Sequence, residues 1–137
     1  MVREAAGYRE VEHTADWELE VWATDLPGLL EQAARGMYAL SGMRLQPQKA
    51  VSRSLSLQAG DNESLLVSFL SELLYDLEQE GIGFDQFRIS LDGLNLQAEL
   101  SGARLAAVTK EIKAVTYHRL AIRQGDGELR VNIVFDV

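Results

Sequence analysis

Three separated stretches of the chain carry side chains able to do chemistry. The first is Glu12-His13-Thr14-Ala15-Asp16, where an imidazole, a hydroxyl and a carboxylate follow one another closely. The second is Lys113-Ala114-Val115-Thr116-Tyr117-His118, with an ammonium at one end and the second of the two histidines at the other. The third is Val134-Phe135-Asp136-Val137, which sets an acidic side chain beside the carboxylate at residue 137. Each has an ordinary explanation when taken alone. A carboxylate ahead of a strand, such as Asp16, commonly accepts N–H bonds in a turn, and a hydrogen-bonded turn role is also the commoner one for His13. Strand alternation puts Lys113, Val115 and Tyr117 on one face and Ala114, Thr116 and His118 on the other. Lys113 and His118 then share a face only if a bulge intervenes. In the third stretch the alternation of Ile133, Phe135 and Val137 predicts sheet pairing through residue 137. Two carboxylates held together on an ordered strand end repel, and a cation or several donors must offset that repulsion. With Asp16 added, three oxygen anions make a plausible site for a hard cation such as calcium, magnesium or manganese.

Composition narrows the chemistry further. The chain has 137 residues, 47% of them hydrophobic, which is enough for one domain with a continuous core. Cysteine is absent, so thiol catalysis, disulfides and thiolate metal sites are excluded. No G-x-S-x-G, phosphate loop, H-E-x-x-H or Gly-rich dinucleotide fingerprint occurs. Net charge is −8, from 13 basic and 21 acidic residues, the reverse of the balance that neutralises nucleic-acid phosphates. Independent RNA or DNA binding is therefore not expected. An acidic surface suits a soluble protein most commonly, and otherwise a cation binder or a protein that docks on a basic partner. No apolar run reaches the roughly 18 residues of a membrane span, and charges stand where a signal peptide would be apolar. The expectation is a cytoplasmic protein with no membrane association.

The elements that must position these residues follow from periodicity. Trp17–Ala23 alternates as a half-buried strand. A helix is expected from about Pro27 to Leu40, capped by Thr24 or Asp25, with Leu29, Leu30, Ala33, Ala34, Met37 and Leu40 along one face. Val51–Leu57 alternates strictly. A second helix, capped by Asp61 or Asn62, carries Leu65, Leu66, Phe69, Leu70, Leu73, Leu74 and Leu77, a stripe that reads as core, and Gly81 supplies a left-handed end. Phe87–Leu91 and Leu94–Ala98 flank Asp92-Gly93, a type I′ turn signal. A second pair runs from about Ala114 to Arg123, turns through Gly125-Asp126-Gly127 and returns over Leu129–Phe135. Strand, helix, strand, helix and consecutive antiparallel strands predict an α+β single domain over residues 1–137. Two helices should pack on a mainly antiparallel β-sheet with one face partly solvated.

Together the three stretches, with Leu73-Leu74-Tyr75 on the second helix, resemble the archease family. The motifs occur in family order and span about residues 8–137. The H-T-A-D opening, the K-A-V-T-Y-H segment and the F-D-V ending are specific in combination. The resemblance implies a protein cofactor and not a free-standing enzyme. Archeases assist the RtcB-type RNA ligase, which joins RNA ends carrying a 2′,3′-cyclic phosphate or 3′-phosphate to a 5′-hydroxyl in tRNA splicing and RNA repair. They promote the ligase's self-guanylylation, which uses GTP and manganese, and allow its multiple turnover. Carried over residue by residue, the resemblance implies a divalent-metal site (calcium, manganese or magnesium) at Asp16, Asp136 and Val137. It ties Lys113 to ligase activation and gives His13 and His118 supporting roles. The implied partner is the ligase, with RNA reached only through it and no DNA involved.

Two other readings use the same residues. One is a small metal-dependent hydrolase or phosphotransferase, with Lys113 stabilising a developing anion and His118 acting as acid or base. The other is a metal-free acidic binding module or chaperone.

Overall fold

The computed structural model describes residues 4–11, 16–48 and 50–137. Nine strands and two α-helices follow in the order β1 (Gly7–Val11), β2 (Trp17–Ala23), α1 (Leu26–Ser41), β3 (Arg44–Leu45), β4 (Val51–Gln58), α2 (Asn62–Tyr75), β5 (Ile82–Asp92), β6 (Asn95–Ala107), β7 (Ala114–Val115), β8 (Arg123–Gly125) and β9 (Glu128–Asp136). All strand pairs are antiparallel, as the α+β reading requires. They form two sheets where the sequence suggested one. In the first, β2 lies between β1 and β9, and β9 pairs in turn with β7 and β8. In the second, β6 is flanked by β5 on one side and by β4 and β3 on the other.

The helices form where capping and patterning coincide. Asp25 caps α1, its carboxylate accepting from the Gly28 N–H at 2.8 Å, and Pro27 falls in the first turn. The helix closes on Gly42 at φ +67°, with the Met43 N–H reaching back to the Tyr38 carbonyl. Asp61 caps α2 through the Ser64 N–H at 2.7 Å. The leucine stripe of α2 is core as expected, and it packs with Leu29, Leu30, Ala33 and Met37 of α1 in one cluster that includes residues of both sheets. Each such large side chain taken out of water contributes about 1.5–3 kcal/mol. Past Tyr75 the helix widens into a five-residue π-turn, Asp76–Glu80, before Gly81 ends it at φ +65°. No helix among the described residues is long and apolar enough to cross a membrane.

The Asp61 cap has a pH signature. The Ser64 N–H and hydroxyl both favour the charged carboxylate and hold its pKa below the ordinary 3.8. A carboxylate with a lowered native pKa adds stability above its unfolded pKa, and that stability is lost as pH falls through the native value. Asp61→Asn keeps a good cap but cannot titrate. Thermal melts between pH 6 and 2 should therefore fall less steeply for this variant than for the parent chain.

Three expectations are corrected by the strands. The hairpin foreseen at Phe87–Ala98 is much longer, because apolar alternation fades toward the ends of β5 and β6 while backbone pairing continues. Its turn is not type I′ at Asp92-Gly93. Asp92 pairs with Asn95, so the central residues are Gly93 and Leu94, and only Gly93 has positive φ, the sign pattern of a II′ turn. The I′ sign pattern occurs instead at Asp126-Gly127, with φ of +54° and +71°. Finally, Ala114–Arg123 is not one strand. It is split into β7 and β8 by a loop that builds the site described next.

Candidate functional site

Two anchors bring Asp16 and the two later sequence stretches to one end of the first sheet. The Ser41 carbonyl, an orphan acceptor at the end of α1, takes N–H bonds from Thr109 and Lys110 at 3.0 and 3.1 Å. This fixes the connection out of β6, seats the Lys110 ammonium 3.6 Å from the Trp17 ring centroid and buries Ile112. The Lys113 N–H then donates to the Asp136 carbonyl at 2.7 Å, and β7 zips onto β9. Lys113 itself is exposed.

Asp16 and Asp136 meet through register. The last paired residues of β2 and β9 are Trp17 and Phe135. Asp16 immediately precedes Trp17 and Asp136 immediately follows Phe135, so both stand one position beyond the last rung, at the same strand end. Continuing the ladder by one rung would bring their Cβ atoms to about 4.5–5.5 Å, within reach of one cation. Neither carboxylate has an ion pair or hydrogen bond among the described residues. Val137 packs its side chain against the core. His13 lies outside the described residues.

As a metal centre this donor set is partial. Among the described residues no three His, Cys, Asp or Glu side chains gather as a ligand set. Two carboxylates with main-chain oxygen and water match a hard, well-hydrated cation such as magnesium, calcium or manganese, and give nothing to a soft one.

The break in the expected strand gives the site its wall. Between the pairs Val115–Phe135 and Arg123–Arg130, seven residues (116–122) face only four (131–134). The surplus arches out from the sheet. Both the N–H and the hydroxyl of Thr116 donate to the Val134 carbonyl, at 3.1 and 2.9 Å, and the His118 N–H donates to the Thr116 hydroxyl at 3.2 Å. A turn closes with the Leu120 N–H on the Tyr117 carbonyl, placing Arg119 at φ +52°. The Ile122 N–H ties the far end to the Glu63 carboxylate on α2 at 2.9 Å. Strand alternation therefore does not govern His118, which the turn redirects. Beside this arch is a cavity of about 280 Å³ whose lining includes Asp16, Glu18, His118, Arg119, Arg123 and Arg130. Glu18 accepts from the Asn132 side-chain amide at 2.7 Å.

Sequence reasoning singled out Asp16 and His118 from this lining but not Glu18 or the arginines. A signal for two of them was present. A two-residue turn centred on Asp126-Gly127 puts Arg123 directly opposite Arg130 by counting alone.

Comparison with known proteins gives the site its context. The model of the Archease protein family (MTH1598/TM1083) matches residues 8–137. The chain belongs to the archease family. It is 28% identical over 138 residues to Protein archease of Methanothermobacter thermautotrophicus, covering 96% of this chain and 99% of that one. It is 32% identical over 139 residues to Protein archease of Methanosarcina acetivorans, covering 95% of each. The solution structure of Methanobacterium thermoautotrophicum protein 1598 superposes with a TM-score of 0.74 at 25% identity, covering 96% of this chain and 99% of that chain. A Thermotoga maritima crystal structure, described as an archease and possible chaperone, matches in fold with a TM-score of 0.71 at 23% identity, covering 94% and 96%. The family match includes all three chemical stretches, and the archease fold of this chain holds Asp16 and Asp136 at one strand end.

Proposed function

We propose that this archease-family protein is a non-enzymatic activator of an RtcB-type RNA ligase, promoting its guanylylation and multiple turnover in tRNA splicing and RNA repair in the cytoplasm. The observation that supports the reading is the register across β2 and β9, whose last pair, Trp17 with Phe135, leaves Asp16 and Asp136 at the same strand end although 120 positions separate them. Two carboxylates gathered at one strand end, with no ion pair to either among the described residues, favour a bound cation that offsets their repulsion. Asp16, Asp136 and a main-chain oxygen of Val137 would hold a divalent ion, which supplies a concentrated positive charge at the protein's rim. Lys113, exposed and joined to Asp136 through its backbone, adds a second positive charge able to meet a phosphate or an acidic group of the ligase. RNA is engaged only through the ligase, in keeping with the net charge of −8.

The test is a guanylylation assay of a cognate RtcB-type ligase with and without this protein. Faster guanylylation and more than one turnover per ligase are expected on mixing, with no turnover by the activator alone. An unchanged ligase rate would sink the reading. Metal-dependent phosphoester cleavage by the isolated protein would instead support the hydrolase, with His118 as acid or base. In calorimetry, manganese or calcium should bind near one equivalent; the absence of any saturable heat would favour a metal-free binding module.

A further inference from the structure

The guanidinium groups around the cavity are not explained by ligase activation or by a cation site. Arg123 and Arg130 are directly paired across β8 and β9, so two like charges share one rung of a two-strand ladder. Like charges in that position oppose strand pairing. The arrangement is conspicuous in a chain with only 13 basic residues and a net charge of −8, where an acidic neighbour would be easy to supply. One of the pair is compensated: Arg130 contacts the Glu128 carboxylate at 3.0 Å, with the charges of Glu20 and Asp126 also acting on it. Arg123 and Arg119 have no ion pair among the described residues. Arg119 also occupies left-handed backbone at φ +52°, a conformation unfavourable for a residue with a β-carbon. The Tyr117–Leu120 turn, with the His118 N–H on the Thr116 hydroxyl, holds it there in the lining of the cavity. A strained Arg119 and a like-charge rung in which Arg123 has no ion pair among the described residues, gathered at one concave place, point to a function that repays both.

We propose that the cavity beside the 116–122 loop is a binding site for a phosphate or diphosphate group, held by Arg119, Arg123 and Arg130. Planar guanidinium forks match phosphate oxygens bidentately, and an anion among them removes the repulsion between Arg123 and Arg130. The volume, about 280 Å³, has room for a phosphate or diphosphate group. His118, at the same wall, adds an imidazole donor. Asp16 and Glu18 line the opposite side and repel an anion, which keeps the ligand at the arginine end and makes a cation on Asp16 favourable to its binding. The site stands without the metal reading, since its arginines lie on β8, β9 and the loop.

The test is titration of the full chain with inorganic pyrophosphate, and in parallel with a nucleoside diphosphate, by calorimetry at low salt in EDTA. Saturable one-to-one binding is expected; tighter binding of the nucleoside form marks an organic ligand and equal binding an inorganic one. Arg123→Ala and Arg119→Ala should each weaken it about tenfold, the loss of a charge-assisted bond. Arg88→Ala, on exposed β5, should leave it unchanged. Melting temperature is the control for folding: Arg123→Ala should hold or raise it, because it removes a like-charge pair. Asp16→Ala should bind pyrophosphate in EDTA at least as tightly as the parent even if it loses every effect on a ligase, which separates this site from the proposed metal site. No saturable heat up to millimolar pyrophosphate, or undiminished affinity in the Arg119→Ala/Arg123→Ala double variant, overturns the proposal.

Discussion

Asp136→Ala and Asp16→Ala are each expected to abolish the acceleration of ligase guanylylation while the protein stays folded. Asp136 is exposed and Asp16 half-buried, and neither carboxylate takes part in the core. The backbone bond from Lys113 to the Asp136 carbonyl survives removal of the side chain. Surface substitutions of this kind usually change stability by no more than about 0.5 kcal/mol. Here the change should lean toward stabilisation without bound cation, because one of two anions at the same strand end is gone. Asp136→Asn separates charge from shape. It keeps the size and hydrogen-bonding reach of the side chain but not the anion, and it should fail like Asp136→Ala if a cation is held there. Retained acceleration in the asparagine variant, read in the same guanylylation assay, would show that the carboxylate's charge is not what the ligase responds to.

Gly102→Ala is expected to destabilise the fold by about 3 kcal/mol or more, the upper range for forcing a methyl group into a packed interior. Gly102 sits in the middle strand of the second sheet, paired with Val51 on one side and Phe84 on the other. The register slips there: Phe84 pairs with Gly102 and Gln86 with Ser101, leaving Asp85 as an extra residue in a bulge. The bulge drives backbone toward Gly102. A β-carbon would meet the Gly83 carbonyl oxygen and lie 2.7 Å from the Phe84 α-carbon. These are main-chain atoms and cannot swing aside as the tip of a side chain can. Gly60, where a β-carbon would have nothing within 4 Å, is the matched control, and Gly60→Ala should change little. Urea unfolding of both variants measures the difference; a loss below about 1 kcal/mol at Gly102 would mean the bulge relaxes.

The relation of sequence to structure differs from element to element. Both helices were legible because their caps, apolar stripes and glycine ends act within a few residues, and Asp25, Asp61, Gly42 and Gly81 all serve at helix ends. Trp17–Ala23 appears with its expected bounds because its alternation is uninterrupted. The start of β5 at Ile82 was not legible, because Ile82-Gly83-Phe84 is buried on both faces and shows no period of two. Gly102 did carry a signal: an isolated glycine within a strand commonly marks a bulge or a close backbone approach. The two Asp-Gly pairs show how little a dipeptide fixes alone. At 126–127 it forms the turn centre, whereas at 92–93 the register of β5 on β6 moves the centre one residue on.

By itself the sequence determined the α+β class, the helices and their caps, the absence of thiol chemistry, and the family, whose motifs lie in three short stretches. Those properties rest on local periodicity and on residue identity. The tertiary structure decided what stands beside what. It divided the strands into two sheets, broke the expected Ala114–Arg123 strand through a three-residue surplus against β9, turned His118 and Arg119 toward a cavity, and brought Asp16 and Asp136 to the same strand end. Register between distant strands depends on the packing of both against a shared core, and no local pattern in either strand contains it.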